Sequence, residues 1–117
     1  MRTLKRIHNR ATRGIAGHAP TFAALGDETR LALLAKLSQE SPASISRLTM
    51  GAGVTRQAIT KHLRVMERAG LIRGIRRGRE QLFQLERRRL DEARHALDRM
   101  TQQWDEALQR LKSFVEA

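Results

Sequence analysis

The sequence predicts a mainly α-helical fold with one small β-hairpin and a long C-terminal helix. Apolar residues recur at helical spacing in short segments that are separated by Gly, Pro and Ser. Two short apolar runs within 71–85 flank a turn that contains Gly and Arg, which is typical of a hairpin. From Leu90 to Leu111 a bulky apolar residue returns every seven positions, which is typical of a long helix with a packing seam. The 117 residues fit a single domain.

The N-terminal part is predicted to be a basic arm followed by two helices. Segment 1–17 contains five Lys and Arg, no acidic residue and no clean periodicity, so we expect a flexible arm. Pro20 suits the first turn of a short helix that ends near Leu25. Asp27 is a favourable N-cap for a helix that runs to about Ser38. The predicted inward stripe of this helix consists of Leu31, Leu34 and Leu37, with Leu33 beside them.

The central part is predicted to be a helix, a glycine turn and a second helix. Ser44 caps a short helix that ends before Gly51, and Thr55 caps a helix that runs to about Ala69. Gly70 suits the position just after the end of that helix. The core-facing residues of the second helix are predicted to be Ile59, Leu63 and Met66.

The hairpin follows directly, with Ile75 and the pair Leu71 and Ile72 expected on one face, and Phe83 and Leu85 on the return strand. A helix-turn-helix followed by a hairpin is the arrangement of a winged helix-turn-helix, in which the second helix enters the major groove of DNA. We therefore divide the chain into an arm at 1–17, a winged helix-turn-helix at 18–87 and a C-terminal dimerisation helix at 88–117.

The last helix carries an apolar seam of four heptads, which would expose a large stripe in a monomer. The sequence therefore predicts a homodimer. The candidate interface residues are Leu90, Ala93, Leu97, Met100, Trp104, Leu108, Leu111 and Phe114.

The charge distribution indicates a polyanionic partner. The formal net charge is +11, and segment 47–89 holds twelve Lys and Arg against three acidic residues. The basic block is not a helix with a bulky apolar face, which disfavours a membrane surface. The chain has no Tyr and 3% aromatic residues, which leaves no platform for stacking single-stranded bases. Double-stranded DNA is the partner that remains.

Two groups of residues are candidates for the contact with DNA. Arg pairs with guanine and Gln with adenine in the major groove, and a helix N-terminus suits a phosphate. On the second helix the candidates are Thr55, Arg56, Gln57, Thr60, Lys61 and Arg64. In the hairpin the candidates are Arg73, Arg76, Arg77 and Arg79, with only Glu80 expected to oppose them.

These segments resemble the ArsR/SmtB family of winged-helix regulators over about residues 20–115. The resemblance lies in FAALGDETRLALLAKL, in the block from Thr55 to Ile72 with Ala58, His62 and Leu63, and in RRGREQLFQL. It implies a bacterial homodimer, built from the first and last helices, that binds a palindromic operator and represses transcription. The pattern of Trp104, Leu108, Leu111 and Phe114 is similar to a metal-free branch of that family.

We expect no metal, no cofactor and no catalytic residue. The chain has no cysteine, and the last helix offers Asp91 and His95 at a spacing of four residues but no second histidine, which a zinc site there would need. A nuclease needs a carboxylate cluster, whereas the acidic residues here are scattered. The effector is not identified by the sequence.

The predicted function is a sequence-specific transcriptional regulator, most simply a repressor. The alternative is an architectural protein that binds duplex DNA with little sequence preference, although such proteins tend to carry an apolar wedge that this hairpin lacks. The expected location is the bacterial cytoplasm, with the protein on the nucleoid when it is bound to DNA.

Overall fold

The chain folds as a helical body that carries a small antiparallel sheet at one side and a long helix along another. The structure is a computed structural model, and it describes residues 13–116. Within that range the elements are α1 (Arg13–Ala16), α2 (Ala19–Leu25), α3 (Glu28–Gln39), β1 (Ala43–Ser44), α4 (Ile45–Thr49), α5 (Arg56–Arg68), β2 (Ile72–Arg77), β3 (Glu80–Leu85) and α6 (Arg87–Glu116). The predicted fold class, a winged helix-turn-helix with a long C-terminal helix, is confirmed.

The predicted N-caps open three of these helices. The side chain of Asp27 accepts from the backbone N–H of Arg30 at 3.0 Å, which satisfies a free donor at the start of α3. Ser44 does the same for α4 and Thr55 for α5, each through a bond of 3.1 Å. Short polar residues therefore set where α3, α4 and α5 begin.

The core lies where α3, α4 and α5 meet the sheet. Its largest fully buried side chains include Leu33, Leu37, Leu48, Ile59 and Leu63. The predicted stripe on α3 was partly wrong, because Leu31 is 50% exposed while Leu33 is buried. Four leucines within seven positions fit two overlapping helical faces, and the face that is buried is the one in contact with the neighbouring elements.

The sheet has the strand order β1-β3-β2, so β2 is an edge strand. The hairpin was predicted, whereas β1, which pairs with β3 through Ala43 and Phe83, was not, because two residues are too short for a pattern. The expectation that Ile75 shares a face with Ile72 was wrong. In the register of the hairpin Ile75 lies opposite Leu82, on the other face from Ile72 and Phe83.

The last helix packs its first half on the N-terminal helices. Both α1 and α2 contact α6, and α2 also contacts α5. The arm predicted at 1–17 therefore ends in a helical turn that lies against α6, while residues 1–12 lie outside the described range. None of the helices in the described range has a stretch that is long and apolar enough to cross a membrane.

Candidate DNA-binding surface

The second helix of the motif, α5, is held with one face in the core and the other in solvent. Ile59, Leu63 and Met66 are essentially fully buried, as predicted from their spacing. At the C-terminus the N–H of Gly70 donates to the carbonyl of Glu67 and the N–H of Leu71 to that of Met66, both at 3.0 Å. These are the two bonds of a Schellman motif, and Gly70 permits it with a φ of 77°.

The outward face of α5 carries the polar residues that the sequence singled out. Arg56, Gln57, Lys61 and Arg64 are exposed, and Thr55 lies at the exposed N-terminus of the helix. Thr60 is half-buried, and its hydroxyl donates to the carbonyl of Arg56 at 2.9 Å. Thr60 therefore keeps only its oxygen lone pairs and methyl group for a base edge.

The turn before α5 is fixed by glycine and by a lysine that the sequence analysis did not assign. Gly51 and Gly53 have φ angles of 70° and 71°, which side chains disfavour. Nζ of Lys36 donates to the carbonyls of Leu48 at 3.1 Å and Met50 at 2.7 Å. A cation on the carbonyls at the end of α4 stabilises the helix terminus and sets where the turn begins.

A polar network ties the middle of α5 to the start of α3. Nε of Arg30 donates to the carbonyl of Ala24 at 2.7 Å, and its Nη1 lies 3.2 Å from Nδ1 of His62. Nδ1 of His62 also lies 3.8 Å from Oδ2 of Asp27, so the imidazole ring lies between the guanidinium and the carboxylate.

The same network stabilises the charged form of Asp27. The backbone N–H of Arg30 donates to the carboxylate, and the nearby Arg30 guanidinium adds attraction. The pKa of Asp27 is therefore lowered, with the backbone hydrogen bond as the main cause and burial acting against it. Arg30 and His62 lie in the segments that resemble the ArsR/SmtB family. Their positions in the sequence did not predict that the two side chains would contact each other.

The wing presents its arginines unequally. Gly78 has a φ of 64° and Arg79 does not have a positive φ, as in a two-residue type II′ turn that places Arg79 at the tip. Arg76 and Arg77 are exposed beside the turn. The expectation that only Glu80 opposes these arginines was wrong, because Nε of Arg73 lies 3.3 Å from Oε1 of Glu86 at the base of the hairpin.

The seam of α6 divides into a covered and an uncovered part. Ala93 is 1% exposed within the single chain, so little of its side chain is open to a partner, and its assignment to a dimer interface stays a prediction. Leu90 and Leu97 remain partly exposed, and Met100 is half-buried. Further along the helix the apolar residues are all exposed: Trp104, Leu108, Leu111, Phe114 and Val115.

Between residues 13 and 116 no three His, Asp or Glu side chains come together in a way that could hold a metal ion.

Comparison with known proteins identifies relatives of this chain. Residues 25–75 match a helix-turn-helix domain family. An uncharacterized HTH-type transcriptional regulator of Bacillus subtilis, YuzN, is 42% identical over 64 residues, which span 50% of this chain and 70% of that protein.

Solved structures agree with that match. An ArsR-like transcriptional regulator from Rhodococcus sp. RHA1 superposes with a TM-score of 0.76 at 35% identity, over 85% of this chain and 92% of that one. A winged helix-turn-helix domain of Mycobacterium bovis, described as homodimeric and as a possible ArsR-family regulator, superposes with a TM-score of 0.57 at 23% identity, over 73% and 77% of the two chains.

The fold, the capped helix with a polar outward face and the arginine-tipped wing define a winged helix-turn-helix protein that binds double-stranded DNA. The chain belongs to the ArsR family of transcriptional regulators. Proteins of this family regulate transcription and are not enzymes.

Proposed function

We propose that the chain is a repressor that binds a palindromic operator as a homodimer. The observation that carries the proposal is the division of α5, which buries Ile59, Leu63 and Met66 and leaves the N-terminal and outward polar residues free. A helix-turn-helix presents this face to the base edges in the major groove.

Each candidate on α5 has a chemical role in this proposal. Gln57 is suited to adenine, and Arg56 and Arg64 to guanine, while Lys61 serves a base edge or a phosphate. The Thr55 hydroxyl accepts from Ala58, so its own proton remains available to a phosphate at the helix N-terminus. Thr60 is suited to a thymine methyl group.

The wing supplies phosphate contacts. Arg77 and Arg79 are the leading residues because they lie at or beside the turn, with Arg76 next to them. Arg73 ranks below these three, since its guanidinium already has an acidic partner at the base of the hairpin.

The dimer is supported by the uncovered part of the α6 seam. Apolar stripes of this length on a helix surface are covered in soluble proteins, and a second copy offers the same stripe by symmetry. The M. bovis relative is described as homodimeric. In this proposal residues 18–87 form the DNA-binding unit, and residues 88–117 form the dimerisation helix.

A two-fold dimer repeats the reading face, so the operator is expected to be an inverted repeat with half-sites about one helical turn, or a multiple, apart. The repressor role follows the resemblance to the ArsR/SmtB family. As a bacterial regulator the protein would work in the cytoplasm and lie on the nucleoid when bound.

The test is a selection from random duplexes, with wild type, Gln57→Ala and Arg64→Ala compared. We expect wild type to enrich a palindrome, and Gln57→Ala to lose about 1–3 kcal/mol and relax one symmetric base pair. Non-specific binding should change little, because it comes from phosphates. Gln102→Ala, at an exposed Gln on α6, is the matched control and should select the wild-type palindrome.

If wild type enriches no palindrome, the specific repressor is refuted and the architectural protein takes its place. If a palindrome is enriched, a reporter carrying it upstream of a promoter decides the sign of regulation. Lower expression supports a repressor, and higher expression refutes that part of the proposal.

A further inference from the structure

One carboxylate lies in the middle of the most basic part of the chain. Between Arg47 and Arg79 there are nine Lys and Arg and a single acidic residue, Glu67. A negative charge there repels a polyanion, so its presence weakens DNA binding by charge alone. Among the described residues Glu67 forms no ion pair, whereas Glu40 and Glu86 each pair with an arginine.

The carboxylate of Glu67 instead reaches the wing. It lies near the C-terminal end of α5, and its Oε2 accepts from the backbone N–H of Gly74 at 3.1 Å. Gly74 belongs to β2, the edge strand of the sheet, where every second N–H has no partner strand. A charged acceptor on such a donor forms a stronger bond than a neutral one.

Gly74 is the residue that allows this approach. A Cβ at position 74 would lie 3.0 Å from Oε2 of Glu67 and 2.6 Å from Nε2 of Gln81, so any side chain would have to push both away. Glycine inside a strand lowers stability, which leaves close approach as its physical reason here. The contact is thus built from both elements, a carboxylate on α5 and a glycine on β2.

We propose that Glu67 is a positioning residue that fixes the wing against the recognition helix α5. The wing and α5 then form one rigid surface. When α5 contacts its bases, Arg77 is held at a fixed distance from them and contacts phosphates of the same duplex. The inference rests on the proposed contact of the wing with DNA.

The experiment compares full-length Glu67→Ala and Glu67→Gln in binding to one fixed duplex over a series of salt concentrations. Gln keeps an oxygen acceptor on a side chain of the same length, whereas Ala removes it, and both remove the charge. We expect Glu67→Ala to bind about tenfold more weakly, the size of one organising hydrogen bond to a charged group, despite the lost repulsion. Glu67→Gln should bind at least as tightly as wild type.

A double-mutant cycle with Arg77→Ala separates positioning from folding. In wild type Arg77→Ala should weaken binding and reduce the salt slope by about one per lost phosphate contact. In Glu67→Ala it should have little further effect, because the wing is already displaced. Glu106→Ala, which removes an exposed charge from α6, should leave both the affinity and the cycle unchanged.

Three outcomes would overturn the inference. If Glu67→Ala and Glu67→Gln tighten binding equally, Glu67 is only a repelling charge. If Glu67→Ala lowers the melting temperature while Arg77→Ala keeps its full effect in that background, Glu67 supports the fold without placing the wing. If Arg77→Ala has no effect in wild type, the wing does not contact DNA, and that result identifies the proposed function as the part that failed.

Discussion

Replacement of Trp104 by Ala should dissociate the dimer. Trp104 is 67% exposed in the single chain and lies in the middle of the uncovered seam of α6. If a second copy covers that surface, roughly 150 Å² per Trp is buried, which at about 25 cal/mol per Å² amounts to about 4 kcal/mol. Interface hot spots reach about 2–4 kcal/mol each, and a two-fold dimer contains the residue twice. The dimer dissociation constant should therefore rise at least about 10³-fold.

Sedimentation equilibrium over a range of protein concentrations measures this change. Met50→Ala is the matched control, since Met50 is 65% exposed but lies at the end of α4, in the helix-turn-helix. Wild type and Met50→Ala should be dimers at micromolar concentration, and Trp104→Ala should be monomeric. A monomeric wild type, or a Trp104→Ala variant that stays dimeric, would show that the seam is not the interface.

Three further predictions concern charge and the helix ends. Binding should fall about 10³–10⁵-fold between roughly 50 and 200 mM salt if the dimer makes about 6–10 phosphate contacts, and Arg77→Ala should flatten this slope in fluorescence anisotropy. An unchanged slope would remove Arg77 from the interface. Gly70→Ala should lower the free energy of unfolding in urea by about 1–2 kcal/mol, because Gly70 has a positive φ and a Cβ there would lie 2.7 Å from Cγ of Arg89. Equal stability would contradict the role of the Schellman turn. The pKa of Asp27 is lowered in the folded state, so its stabilisation is present above its ordinary pKa and is lost as pH falls through the folded value. In thermal melts the stability advantage of wild type over Asp27→Asn should therefore shrink below about pH 4, and an advantage independent of pH would refute the assignment.

Much of this fold follows from short-range patterns. Helix starts at Asp27, Ser44 and Thr55 depend on a side chain that bonds to a backbone N–H three residues away, so the local sequence suffices to predict them. Which face of a helix or strand is buried is a different matter, because it depends on the elements that pack against it. The inward face of α3 was misassigned at Leu31, since packing against the neighbouring helices and β3 decides which of two leucine stripes is buried. Ile75 was misassigned because successive residues of a strand alternate between its two faces, so that Ile72 and Ile75, three residues apart, lie on opposite faces.

The polar residues that the sequence analysis missed share one physical role. Arg30 covers carbonyls at the end of α2, Lys36 covers those at the end of α4, and Glu67 covers a free N–H at the edge of the sheet. Which backbone groups are left unpaired is known only once the elements are assembled, so no local pattern separates these side chains from solvent-exposed ones.

The same distinction changes how the net charge of +11 is to be interpreted. Arg30 and Lys36 donate to backbone carbonyls and Arg73 pairs with Glu86, so the donors of these three side chains are already engaged before DNA arrives. The salt dependence of binding counts only the phosphates that a protein neutralises. It should therefore reflect the free cations of α5 and of the wing tip in each protomer, together with any from the arm, and be smaller than the total charge of the chain suggests.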